Sequence, residues 1–188
     1  MRIKALRIMI KLKVFMKIIF KSILFVLTLF LFSFSNKDKI ESEFEKFQKL
    51  ELLALKNGNV GKEYTYDLTN KEGCYNSKIK YLGVIKTNNG KQYKVLSSLF
   101  VYSVASTCHG TSNIKIYNLN NKYLGNYNVG MPEDLPTEIK NNNSICWSKT
   151  KDCDLRNNFS INFQKGLPKR FFLPCSQKGG DEMIFTNL

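Results

Sequence analysis

The single histidine, His109, follows one of the five cysteines in the run Thr107-Cys108-His109-Gly110-Thr111-Ser112. A thiolate beside an imidazole is the chemistry of a nucleophilic cysteine with its general base. The spacing works against that use. Neighbouring side chains of an extended chain leave on opposite faces, so the two meet only in a turn. Catalytic Cys and His come as a rule from distant sequence positions. Cys108 therefore reads as a bridge cysteine followed by a turn histidine, and Cys108 and His109 stand as the only thiol-imidazole candidates for catalysis.

Other chemistries lack their residues. Haem attachment needs Cys-x-x-Cys-His, and only the last two letters are here. Cys146 and Cys153 have six residues between them, too far apart for a close zinc-ligand pair, so no metal site is expected. No Cys-x-x-Cys, phosphate-cradling glycine loop or Gly-x-Ser-x-Gly elbow occurs, and no cofactor is expected. Acidic residues in the expected loops, Glu133, Asp134, Glu138, Asp152, Asp154, Asp181 and Glu182, are what a two-carboxylate glycosidase would draw on. Loop acids are also what solvation alone would place there.

Two features suit binding. Lys169-Arg170-Phe171-Phe172 combines cations with aromatics, as a site for a glycan or anion would. It equally fits an edge strand of alternating burial. Trp147, the only tryptophan, either packs on a disulfide or lines a sugar-binding surface. The expected binding set is Trp147, Lys169, Arg170 and Phe172. Asn142-Asn143-Ser144 and Asn158-Phe159-Ser160 match the glycosylation acceptor pattern.

The elements that position these residues are mostly strands. Ile40, Phe44, Phe47, Leu50 and Leu53 recur at spacings of four and three, which predicts one amphipathic helix with Asp38 as its cap and Asn57-Gly58 as its stop. Strands are predicted over 63–69, 74–86 and 91–106, with Asn88-Asn89-Gly90 as a hairpin signal. A two-residue Asn89-Gly90 loop would set Ile79 against Phe100 and Gly83 against Leu96. A second hairpin spans 113–119 and 122–129 around Asn120-Asn121. A loop over 131–143 contains a short helical turn at 136–140. Further strands follow at 159–163, 170–173 and 183–186. Local hairpins without intervening helices predict an antiparallel meander. The fold expected is α+β, mostly β: a twisted sheet, as partial barrel or small sandwich, with one N-terminal helix.

Residues 1–35 read as a leader. Lys17 and Lys21 precede an apolar run, and Ser33-Phe34-Ser35 is a small-x-small cleavage signal. Met16 opens a compact version of the same signal and is the favoured true start. The alternative is an uncleaved membrane anchor; from Ile18 the run is about 17 residues, just under the length a span needs. Residues 36–188 then form one exported domain. All 15 acidic residues and 22 of the 29 Lys and Arg lie after position 35, a net +7. Only Arg156 and Arg170 of those are arginine, the residue bidentate phosphate recognition uses, which argues against nucleic acid as a partner.

An exported domain uses its cysteines for bridges. The predicted set is Cys74 with Cys108, plus Cys146 and Cys153, with Cys175 free or an alternative partner. The function expected is a small binding or interaction protein of the cell envelope or extracellular space, secreted or periplasmic, that meets a protein or glycan and carries no catalytic motif. The alternatives are an extracytoplasmic hydrolase, using loop carboxylates or Cys108 with His109, and a glycan-contacting surface protein. Membrane attachment is expected only if the leader is kept.

Overall fold

The computed structural model of the chain describes residues 44–67, 69, 73–148, 150–157, 159–177 and 179–187. The leader over 1–35, its anchor alternative, and the helix positions Asp38 and Ile40 lie outside the described residues. The chain divides into Met1–Glu45 and Lys46–Leu188, and the fold below belongs to the second unit.

Among the described residues there is one helix, α1 (44–57), and ten strands. In order these are β1 (Glu63–Asp67), β2 (Asn76–Lys86), β3 (Gln92–Val104), β4 (Thr107–Tyr117), β5 (Tyr123–Gly130), β6 (Glu138–Lys140), β7 (Ser144–Cys146), β8 (Ser160–Asn162), β9 (Arg170–Ser176) and β10 (Gly179–Asn187). Seven form one antiparallel sheet in the order β1-β2-β3-β4-β5-β10-β9, which is not closed into a barrel. β6, β7 and β8 form a small antiparallel sheet of their own. The mostly β architecture with one helix is thus the one expected from local hairpins.

Both faces of the large sheet are apolar, and each has its own cover. On one face α1 lays Phe47, Ala54 and Leu55 against Ile79, Tyr81, Leu96 and Tyr117. On the other, Ile145, Trp147 and Phe163, in or beside the small sheet, join Leu82, Val95, Ile114, Ile116 and Tyr127. Of the described members of the predicted stripe, the helix buries Phe47 and packs Leu50 against the core, but not the other two. Phe44 and Leu53 are exposed, and the buried set is Phe47, Glu51, Ala54 and Leu55. That spacing is the ordinary inward face of a helix, disguised because one member is a glutamate.

The β2–β3 hairpin differs from expectation in its loop. Thr87 N–H donates to the Lys91 carbonyl, leaving Asn88-Asn89-Gly90 as a three-residue loop with Gly90 at φ 81°. A residue in the left-handed region closes such a loop, which is why glycine stands there. The extra residue moves the register by one, so Gly83 faces Val95 and not Leu96. A bulge between Tyr81 and Gly83 moves it by one more, so Ile79 opposes Ser98. Two single shifts add to two, so Ile79 and Phe100 still share a face, as alternation requires.

Other boundaries are corrected as well. β4 begins at Thr107, not near Asn113, because Ala105 and Ser106 make a tight turn at φ 48° and 65°. The expected helical turn at 136–140 is instead strand β6, and a 3-10 turn lies earlier, at Pro132–Asp134. The run Asn141-Asn142-Asn143 turns β6 into β7, with Asn141 and Asn142 at φ 53° and 54°. Asparagine tolerates that region better than most residues.

Candidate functional site

β3 and β4 outrun their neighbours. β2 starts pairing at Asn76 with Val101, and β5 stops at Gly130 with Ser112. Tyr102 to Thr111 therefore form a two-stranded ribbon that ends in the Ala105-Ser106 turn. The Cys74–Cys108 disulfide braces it, with Cα atoms 5.9 Å apart. Gly73 makes the crossing possible: a Cβ there would lie 2.8 Å from Ser103 Cβ.

His109 sits on this ribbon, in a strand and not in the turn expected for it. It pairs directly with Tyr102, and their rings stack at 5.8 Å. Phe100 stacks on Tyr102 at 5.5 Å, and Phe47 on Phe100 at 4.7 Å. An aromatic line thus runs from under α1 to the exposed imidazole. Cys108 leaves β4 on the face opposite His109 and is bonded, so the pair offers no thiol nucleophile beside a base.

The expected binding residues separate. Trp147 is buried: its ring packs on Phe159 and Phe171, and its Nε1–H donates to the Asp134 carbonyl at 2.8 Å. It lines no surface. Lys169, Arg170 and Phe172 are exposed on or next to the edge strand β9, while Phe171 and Leu173 between them are buried. Arg170 pairs with Glu182 at 3.3 Å. Phe172 is 56 % exposed and Ile184, on the neighbouring strand, is 54 % exposed.

The cysteine set also changes. Cys146, expected in a bridge, is a free buried thiol, and Cys153 pairs with Cys175, Cα atoms 4.1 Å apart. Burial pushes the Cys146 thiol pKa up, partly offset by Lys140.

Of the acids expected in loops, Glu138 lies in β6 and pairs with Lys140, Asp181 and Glu182 lie in β10, and Asp134, in the first 3-10 turn, pairs with Arg156. Arg156 is almost fully buried. Its Nε donates to the Pro174 carbonyl at 2.9 Å, and its Nη1 meets Asp134 Oδ1 and the Glu133 carbonyl. This guanidinium ties the Pro132–Asp134 turn to β9. The sequence signal was present, since Arg156 is one of only two arginines after the leader.

Two more polar clusters were not expected. Under α1, Lys115 Nζ lies 2.6 Å from Glu51 Oε1, and Tyr117 donates to Glu51 Oε2 at 2.9 Å. Burial holds the Glu51 carboxyl above its ordinary range, while Lys115 and Tyr117 pull it partway back. Burial and the Glu51 charge both push Tyr117 up. On the opposite face, Lys78, Lys80 and Ser97 line a cleft of about 230 Å³ beside the Pro132–Pro136 loop. Lys80 Nζ donates to the Thr137 carbonyl at 2.9 Å.

Two disulfides in one small domain point to an oxidising, extracytoplasmic compartment. No helix among the described residues is long and apolar enough to cross a membrane. No protein-family model, curated protein or solved structure matches this chain.

Proposed function

We propose that the chain is a small binding protein, exported by the leader over residues 1–35 to the periplasm or beyond the cell, and that its contact element is the β3–β4 ribbon. The observation that carries this reading is the ribbon's build. It projects past its neighbours, is braced by Cys74–Cys108, and ends in two non-glycine residues at positive φ. Backbone held in that region costs on the order of 1 kcal/mol per residue and persists where the surroundings or a function demand it. Residues 104–110 are all exposed, and among them Val104 and His109, with the half-buried Tyr102 beside them, offer apolar and aromatic contact groups next to the disulfide brace. The partner this favours is a protein.

A photo-crosslinking residue at Ser106 tests it in the exporting host. The expected result is one discrete adduct at Ser106 and none at Lys91, on the opposite end of β3. Equal labelling at both sites, or none at Ser106, would end the ribbon reading. A second reading, glycan contact, rests on Phe172, Arg170 and Ile184 on the outer face of β9 and β10. Under it, the double variant Arg170→Ala, Phe172→Ala loses binding on a glycan array that the parent shows.

A further inference from the structure

Two rows of residues cross the sheet on the face away from α1. In the first, Glu63, Lys80 and Ser97 are direct cross-strand neighbours. In the second, Lys78 pairs with Leu99, and Leu99 with Ser112. The first row, with Lys78 and Leu99 of the second, floors the cleft of about 230 Å³ that the Pro132–Pro136 loop walls, and Pro136 and Leu99 give it apolar surface.

Three observations make this a prepared site. First, the wall does not depend on a ligand: Asp134 is fixed by Arg156, the Asp134 carbonyl receives the Trp147 Nε1–H, and Lys80 holds the Thr137 carbonyl. Second, the cations divide the work. Lys80 is engaged in holding that wall, whereas Lys78 has no ion pair or side-chain hydrogen bond with a described residue. Third, one hydroxyl in the lining is left free. Ser97 is 95 % buried, lines the cleft, and makes no side-chain hydrogen bond to a described residue. A hydroxyl that lines a cleft and has no protein partner is free to donate to or accept from a polar guest there.

We infer that this cleft binds a small monocarboxylate with an apolar ring-sized body, its carboxylate on Lys78 and the Ser97 hydroxyl, its body against Leu99 and Pro136. The charges fit one negative group: two lysines and one glutamate leave a single positive charge. The size fits as well, since a cavity of about 150 Å³ already takes benzene. Glu63 accepts from a hydroxyl on the far side of the guest. This site goes beyond the ribbon reading and does not depend on it.

The test is a titration with 4-hydroxybenzoate and its neutral isostere 4-hydroxybenzamide, followed by protein amide NMR shifts, on protein purified without reductant from an exporting host. The acid is expected to saturate with Kd on the order of 1 mM, as suits about ten heavy atoms. The amide binds about tenfold or more weakly, in line with a charge-assisted bond. Lys78→Met removes the preference for the acid, Ser97→Ala weakens the acid, and Lys91→Met changes neither. Equal binding of acid and amide, no saturation, or an equal loss in Lys91→Met would overturn the site.

Discussion

Arg156 and Asp134 form a buried ion pair in which the guanidinium also serves two backbone carbonyls. Removing one partner of such a pair strands the other's charge. Arg156→Met is expected to cost roughly 3–5 kcal/mol in urea unfolding. Adding Asp134→Asn should return part of it, because the stranded charge is gone; a double variant no better than the single one would contradict the ion-pair account. Glu51 titrates in the other sense from most acids. Burial raises its folded pKa above the ordinary 4.5, so its contribution is complete below that pH and is lost as pH rises through the folded value. The stability of the parent relative to Glu51→Gln should therefore fall as the pH is raised from below 4.5 through the folded value. A relative stability that rises over that window would contradict the burial argument. Cys146, buried and with a raised pKa, should resist alkylation in the native protein and react once it is unfolded.

The ribbon turn belongs to the scale of elements. Ala105 and Ser106 both occupy the left-handed region, where glycine is at home. Ala105→Gly and Ser106→Gly should each stabilise the protein by about 0.5–1 kcal/mol, read as a rise in Tm. A fall in Tm would mean the turn has another geometry. The same turn shows where sequence stops being legible. Its residues carry no turn chemistry, so 107–112 read as the region after a strand and not as the first half of β4. Gly90 and Asn121, by contrast, announced their hairpins, and both sit at positive φ in the turns they close. The helix was legible in existence but not in its facing, because Glu51 lies on the buried side only in view of Lys115 and Tyr117, more than sixty residues away. The cleft was illegible for a related reason. Alternation along β2 sets Lys78 and Lys80 on the face opposite Ile79, but only the Pro132–Pro136 loop, fixed by Arg156, makes a cleft over them. The alternation at Phe171, Phe172 and Leu173 was legible, since an edge strand needs only its own period.

For the whole molecule, the two bridges stand in different places. Cys74–Cys108 joins the start of β2 to the ribbon, and Cys153–Cys175 joins the second 3-10 turn, Asp154–Arg156, to β9. Their sequence separations are 34 and 22, so each should contribute about 3–4 kcal/mol through the unfolded chain. A protein so braced belongs where thiols are oxidised. The intact mass of the protein from an exporting host, purified without reductant, with a non-reduced peptide map and alkylation after unfolding, tests this most directly. The expected result is a chain beginning at Asn36, bridges Cys74–Cys108 and Cys153–Cys175, and Cys146 as the single alkylated thiol. A retained leader, or Cys108 free and reactive, would contradict the account of an exported, disulfide-braced binding protein.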